Sequence, residues 1–146
     1  MKVVYAKVVA DLFHYGHVSF LKAARGLGDS LVVHVVDDQR VKAMKRQPVM
    51  SQWERMEVVA ACRYVDKVVA EGPKVITREF MDSHGYDLYA FAYVDECELS
   101  VKRGDCPDLP ERMLGILRYT DGISTTIVVQ RILDRAREEA ITPLRA

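Results

Sequence analysis

The chain has 146 residues, a length that suits one domain and leaves no room for two ordinary ones. Hydrophobic residues make up 49% and charged residues 29%, the balance of a soluble globular protein rather than a disordered or fibrous one. Its 21 basic residues cancel 21 acidic ones, so no global field exists to hold a nucleic-acid backbone or an anionic membrane. No apolar run approaches the ~18 residues of a membrane span. The N-terminal segment has neither the long apolar stretch nor the small-residue cleavage site of a secretory signal. The expected location is cytoplasmic. The three cysteines, Cys62, Cys97 and Cys106, have no CxxC spacing and point to neither a disulfide framework nor a zinc site.

Along the chain, Val3–Asp11 is valine-rich, as a buried strand is, and runs into the polar turn His14-Tyr15-Gly16-His17. From Val18 the period changes: Phe20, Leu21, Ala24 and Leu27 fall near helical spacing, and Gly26 and Gly28 stop the helix. Leu31–Val36 is a second apolar strand. Gln39–Pro48 is polar and carries Arg40, Lys42, Lys45 and Arg46, a basic loop. Ser51 with Glu54 three residues on is a capping box opening a helix over Gln52–Arg63. Lys67–Ala70 reads as a short strand, Val75–His84 as a helix ended by Gly85, and Leu88–Tyr93 as another strand. Val94–Glu111, with Gly104, Pro107 and Pro110, reads as a long loop, and Met113–Arg118 as a fifth strand. After Asp121-Gly122, the residues Ile127, Val128, Ile132, Leu133 and Ala136 mark a closing amphipathic helix.

Strands alternating with helices, with the strands apolar on both sides, predict a parallel sheet covered on both faces. Ligands in such sheets sit beyond the carboxyl ends of strands, near a point where the strand order reverses. The segments after the first, fourth and fifth strands are therefore the places to look. The domain is expected over residues 1–140, with residues 141–146 a tail or the start of a linker.

Two segments there can carry chemistry. The first is Asp11-Leu-Phe-His14-Tyr-Gly16-His17. A histidine pair can donate hydrogen bonds to an oxyanion, and Gly16 lets a phosphate approach backbone N–H groups at a helix start. The competing interpretation is two turn histidines that satisfy local hydrogen bonds. The second is Thr120-Asp121-Gly122-Ile123-Ser124-Thr125-Thr126, whose hydroxyls and N–H groups make either a second anion site or an ordinary N-cap. A zinc pair at the histidines would lack a third ligand at a recognisable spacing.

With HxGH after the first strand and Gly122-Ile123-Ser124-Thr125-Thr126 before the last helix, the chain resembles the cytidylyltransferases of the nucleotidyltransferase superfamily. The resemblance runs from about Met1 to Arg137 and includes Pro48-Val49, Glu54-Arg55, Arg63-Tyr64-Val65-Asp66 and Tyr86-Asp87. It implies a Rossmann-like α/β fold, with a five-stranded, mainly parallel sheet and helices on both faces. It also implies CTP as substrate, a small phosphonate or phosphate acceptor, and Mg2+. On that likeness His14 and His17 stabilise the α-phosphate and the departing pyrophosphate, and Lys45 clamps the triphosphate or the acceptor. Ser124, Thr125 and Thr126 bind the β- and γ-phosphates. Val9, Ala10, Gly16, Arg63, Asp95, Thr120, Gly122 and Ile123 line the nucleotide. Arg55, Arg118 and Tyr119 contact the acceptor or phosphates, and Asp11 helps to hold magnesium through water. Dimers are common among such enzymes, so a homodimer is implied too, with Arg63–Asp66 as the pairing segment.

The chain departs from the pattern in three places. Val8-Val9-Ala10-Asp11 stands where the family has Gly-Thr-Phe-Asp. Ala92-Tyr93-Val94-Asp95 replaces a Gly-Asp-Asp-like segment, with Asp95 standing in for the missing acid. Tyr119 occupies the slot of an arginine, with Arg118 before it. Together with Asp11–His17, these changes resemble the cytidylyltransferase domain of the fused cytidylyltransferase/phosphoenolpyruvate mutases of fosfomycin biosynthesis. They imply 2-hydroxyethylphosphonate as acceptor and a second catalytic domain beyond the tail. The alternatives are phosphoethanolamine or glycerol 3-phosphate as acceptor. A third, of another class, is a catalytically weak nucleotide-binding module.

Overall fold

Residue-by-residue alternation along the strands divides the hydrophobic residues between two cores. In β1 (Val3–Val8) the side chains of Val4 and Ala6 face one way, and those of Val3 and Tyr5 the other. In β2 (Ser30–Val35) Leu31, Val33 and Val35 join the first core and Val32 the second. In β4 (Leu88–Tyr93) Leu88 and Ala90 join the first, Tyr89 and Phe91 the second. A sheet apolar on both faces must be covered on both, and helices do so here. Leu21 and Ala24 of α1 (Tyr15–Arg25) and Val59 of α3 (Gln52–Ala60) close the first core. Met81 of α4 (Arg78–His84), with Ile76, Cys106, Leu109 and Met113, closes the second.

The computed structural model describes residues 1–139, so the expected tail, residues 141–146, and its boundary at 140 lie outside the described residues. β3 (Lys67–Val69) and β5 (Leu114–Arg118) complete a sheet of order β3-β2-β1-β4-β5. Every neighbouring pair is parallel, so the expected "mainly parallel" sheet is wholly so. The chain winds outward from β1 to β2 and β3, then returns to pair β4 on the other side of β1. The reversal therefore lies between β1 and β4, the place where such sheets bind ligands.

Two segments expected as loops contain helices. Within Gln39–Pro48 and just before it lies α2 (Asp38–Met44), capped by Asp37, whose carboxylate accepts from Arg40 N at 2.9 Å. Within Val94–Glu111 lies α5 (Glu96–Gly104), capped by Asp95. Both escape a reading by periodicity because they bury almost nothing: α2 buries Val41 and α5 no residue at all. Some ends shift as well. β1 stops at Val8 instead of Asp11, because Ala10 and Leu12 have φ of 58° and 50°, which an extended strand cannot contain. α1 starts at Tyr15 instead of Val18, α3 ends at Ala60 instead of Arg63, and α4 begins at Arg78, behind its cap Thr77. A 3₁₀ turn, Glu111–Met113, leads into β5, and α6 (Thr125–Glu138) closes the described chain.

Gly115 of β5 shows how tightly the first face is filled. A Cβ there would stand 2.5 Å from both Leu27 Cδ1 and Leu88 Cδ2. Overpacking of this kind costs about 1–3 kcal/mol. Gly115→Ala is therefore expected to lower the thermal midpoint by roughly 3–10 °C, since 1 kcal/mol moves a domain of this size by a few degrees. Calorimetry on the two proteins measures the shift, and an unchanged midpoint would contradict the packing described.

Candidate active site

The exit of β1 is pinned from inside. Asp11, 4% exposed, accepts from Met50 N through Oδ1 and from Val49 N through Oδ2, each at 2.9 Å. Arg55 of α3 is fully buried. It donates from Nη1 to Val9 O at 2.7 Å, from Nε to Met50 O at 3.1 Å and from Nη2 to Asp38 Oδ1 at 2.6 Å. A buried guanidinium is tolerable only with such partners. The two left-handed residues, Ala10 and Leu12, turn the chain sharply between these anchors and aim it at the start of α1.

α1 is capped by imidazoles. His14 is the N-cap; its Nδ1 accepts from Gly16 N at 3.0 Å, and His17 Nδ1 reaches back to accept from His14 N at 3.1 Å. A backbone N–H can only donate, so both Nδ1 atoms are unprotonated and each neutral ring carries its proton on Nε2. The rings lie 3.9 Å apart, centroid to centroid, and Phe13 stacks on His17. Burial pushes the His17 pKa down to about 4, with the charges of His14 and Lys45 adding to the effect and Asp11 opposing it. Burial lowers His14 as well. The pair is therefore two neutral donors at pH 7. Gly16 is required by the closeness of its neighbours: a Cβ there would stand 2.9 Å from His14 Cε1 and 3.1 Å from Ile123 Cγ2.

α6 starts beside them. Gly122, with φ 80°, makes the turn, and Ser124 caps the helix by accepting from Ile127 N at 3.1 Å. Thr125 Oγ1 donates to Asp11 O at 3.0 Å and lies 3.5 Å from His14 Nε2. Two helix N-termini thus converge at the end of β1. Their free first-turn N–H groups, the positive ends of both dipoles and two Nε2–H donors form a site built for an anion.

The structure brings Asp11, His14, Gly16, His17, Ile123 and Thr125 together, with Lys45 exposed and near enough to act on His17. Ser124 is occupied as a cap, while Thr126 is exposed. Val9 and Ala10 take part through backbone, and Thr120 lies between β5 and the Gly122 turn. Arg63 is exposed at the corner after α3, beside an open cleft with Phe13, Val18 and Tyr64. Other expected residues are engaged elsewhere. Arg55 is spent entirely on the protein. Asp95 caps α5, accepting from Glu98 N at 2.9 Å. Arg118 stacks over Tyr93, and the Tyr119 hydroxyl accepts from Lys102 Nζ at 2.8 Å. The carboxylate oxygens of Asp11 already serve two amides. Among the described residues no group of three or more His, Cys, Asp or Glu could hold a metal ion. The described residues therefore offer no magnesium cage of their own.

Some positions that hold the site in place carried no legible signal. Val49 and Met50 act through N–H groups. Gln52 bridges Val35 O and Ala70 O at 2.9 Å each, and Lys102 donates to Ala92 O and Tyr119. Only the folded chain shows these partners.

Comparison with known proteins supplies the family. A family model described as cytidylyltransferase-like matches residues 9–131. The ethanolamine-phosphate cytidylyltransferase of Arabidopsis thaliana is 38% identical over 95% of this chain and 34% of its own length. A probable ethanolamine-phosphate cytidylyltransferase of Encephalitozoon cuniculi is 39% identical over 95% of this chain and 42% of its own. Choline-phosphate cytidylyltransferase 2 of Arabidopsis thaliana is 32% identical over 89% and 44%. The chain thus spans between 34% and 44% of the length of these curated relatives. Among solved structures, a lipopolysaccharide core biosynthesis protein from Thermoplasma volcanium superimposes with TM-score 0.59 at 26% identity, covering 82% of this chain and 97% of that one. With the family model spanning most of its length, the chain belongs to the cytidylyltransferase-like family.

Proposed function

We propose that this chain transfers CMP from CTP to the phosphate of a small monoester, releasing pyrophosphate. The observation that carries it is the pair of neutral imidazoles, each held in one tautomer with its proton on Nε2, where two helix N-termini meet. The triphosphate lies against those N-termini. An acceptor oxygen attacks the α-phosphorus in line, the bond to the bridging oxygen of the β-phosphate breaks, and the charge that grows on both groups meets His14 and His17. A phosphate monoester is already an anion at neutral pH, so positioning and electrostatics suffice without a strong base. The relatives' names support phosphate monoesters, phosphoethanolamine above all. None of the names reported above is that of a phosphonate enzyme or a fused mutase, so the 2-hydroxyethylphosphonate expectation has no support from them. A pyrophosphate-release assay tests the whole reading: CTP with phosphoethanolamine should release at least ~10-fold more than CTP alone, and more than ATP, because a pyrimidine site rejects a purine. No release with any phosphate monoester would leave the nucleotide-binding module as the reading.

The double duty of His14 separates by mutation. Asn is a good N-cap but places no donor where Nε2–H stands. His14→Asn is expected to keep stability within about 1 kcal/mol while losing roughly two to three decades of turnover. His17→Ala should lose both activity and part of the helix start. Near-wild-type turnover in both variants would refute the catalytic role.

Acid sensitivity follows from the same geometry. The unfolded chain takes up histidine protons near pH 6.5, whereas His17 and buried His34, each pushed down to about 4, refuse them when folded. Stability is therefore unaffected by these groups above pH 6.5 and falls as pH drops from there toward 4. Thermal midpoints at pH 7.5, 6 and 5, above the ordinary carboxylate range, should decline in that order. A rise would reverse the sign of the argument.

A further inference from the structure

On the face of the sheet opposite α1, a second polar group remains unexplained. Lys7 and His34 stand side by side in register at the carboxyl ends of β1 and β2. Tyr5 shares their face, its ring nearly parallel to that of His34 at 6.5 Å. Tyr5 is fully buried and His34 is 1% exposed, yet among the described residues Tyr5 Oη and His34 Nδ1 have no hydrogen-bond partner. Native folds seldom leave two buried polar atoms unpaired in one place, and such exceptions call for a reason.

The roof over them is the backbone around Gly72. A Cβ on Gly72 would stand 2.5 Å from Tyr5 Oη and 2.7 Å from His34 Nδ1. Arg40 Nη1 donates to Gly72 O at 3.1 Å and Lys7 Nζ to Lys74 O at 2.7 Å, so two cations hold the roof by its carbonyls. Releasing them breaks no sheet pairing. Lys102 adds to the positive surroundings of Lys7. Two carboxylates face this group. Asp37 is taken up by the α2 cap and by Arg40 at 3.6 Å, and the charge of Asp105 is opposed by Lys7.

The position relative to the histidines gives the group a role. If pyrophosphate leaves toward the N-termini of α1 and α6, in-line displacement brings the acceptor from the other side of the β1 end. Lys7 lies on that side, at the penultimate residue of β1. We propose that Tyr5, Lys7 and His34, beneath Gly72, receive the tail of the acceptor, and that the tail they select is a hydroxyl in preference to an ammonium. A hydroxyl both donates and accepts: it donates to His34 Nδ1 and accepts from Tyr5 Oη, pairing both orphaned atoms at once. Burial and the charges of Arg40 and Lys7 keep His34 neutral, which leaves a ring nitrogen able to accept. An ammonium has no acceptor to offer and would meet Lys7 and Arg40 as like charges.

The inference rests on CMP transfer to a phosphate monoester and refines its acceptor. The experiment compares kcat/KM for glycerol 3-phosphate and phosphoethanolamine, with saturating CTP, in the wild type, Tyr5→Phe and Lys7→Asp. The ratio of the two constants is blind to how much of each preparation is folded. The wild type should favour the hydroxyl acceptor by about tenfold or more, Tyr5→Phe should shrink that preference by a similar factor, and Lys7→Asp should turn it toward phosphoethanolamine. A wild type that prefers phosphoethanolamine, or a ratio unmoved by both substitutions, overturns the tail assignment and leaves CMP transfer intact. Release with neither acceptor overturns the transfer reading, and the tail assignment falls with it.

Discussion

The buried guanidinium of Arg55 gathers oxygens from three separate stretches of chain: Val9 O at the end of β1, Met50 O before α3 and Asp38 Oδ1 at the start of α2. Asp11 reaches outward to the neighbouring amides of Val49 and Met50. Between them these two charged groups fix where β1 stops and how the chain turns, and all else at the carboxyl edge follows from that turn. Removing one partner of such a buried set leaves the other uncompensated, which is far costlier than the pair is favourable. The arrangement therefore gives rigidity to the carboxyl end of β1, where the anion site is assembled. Asp11 and Arg55 look like ligand-binding charges in the sequence, and their work in the fold is to hold the site still.

The histidines carry the same economy one step further. Helix α1 needs acceptors for its first N–H groups, and imidazole Nδ1 atoms serve where serine or aspartate usually does. That choice fixes each ring's tautomer and orientation without any added residue. The cap that stabilises the helix is thus the device that points Nε2–H at the anion site. Burial then keeps both rings uncharged, so what they present to a phosphate is a pair of fixed dipoles instead of a mobile cation.

The two faces of the sheet divide the chemistry. One face brings the N-termini of α1 and α6 together, with Thr125 tied to Asp11 O across them. The other presents Lys7, His34 and Tyr5 under the Gly72 roof. β1 is the hinge of this division: it lies at the reversal of strand order, and its last residues border both groups. A central parallel strand with neighbours on both sides is a stiff element and a suitable mount for both groups.

Much of this was legible in the residues themselves. Short apolar runs placed all five strands, the Ser51–Glu54 box opened α3, Gly85 closed α4 in the left-handed conformation, and HxGH with the Gly122–Thr126 segment marked the two strand exits that converge. These are local signals, set by side-chain periodicity, caps and turn chemistry within a few residues. The helices α2 and α5 were illegible because they bury almost nothing and so carry no hydrophobic period. The employment of Arg55, Asp11 and Asp95 was illegible for another reason. A charged side chain reads the same whether it meets a ligand, a carbonyl 46 residues away or its own helix end. The orphaned atoms of Tyr5 and His34 are a tertiary fact in the same sense, since burial and the absence of a partner exist only once β1, β2 and the Gly72 segment are packed together. The residues by themselves determined the strands, the caps and the anion-binding turns, whose causes are short-range. The fold alone decided which charges are free, because that depends on what distant backbone each one meets.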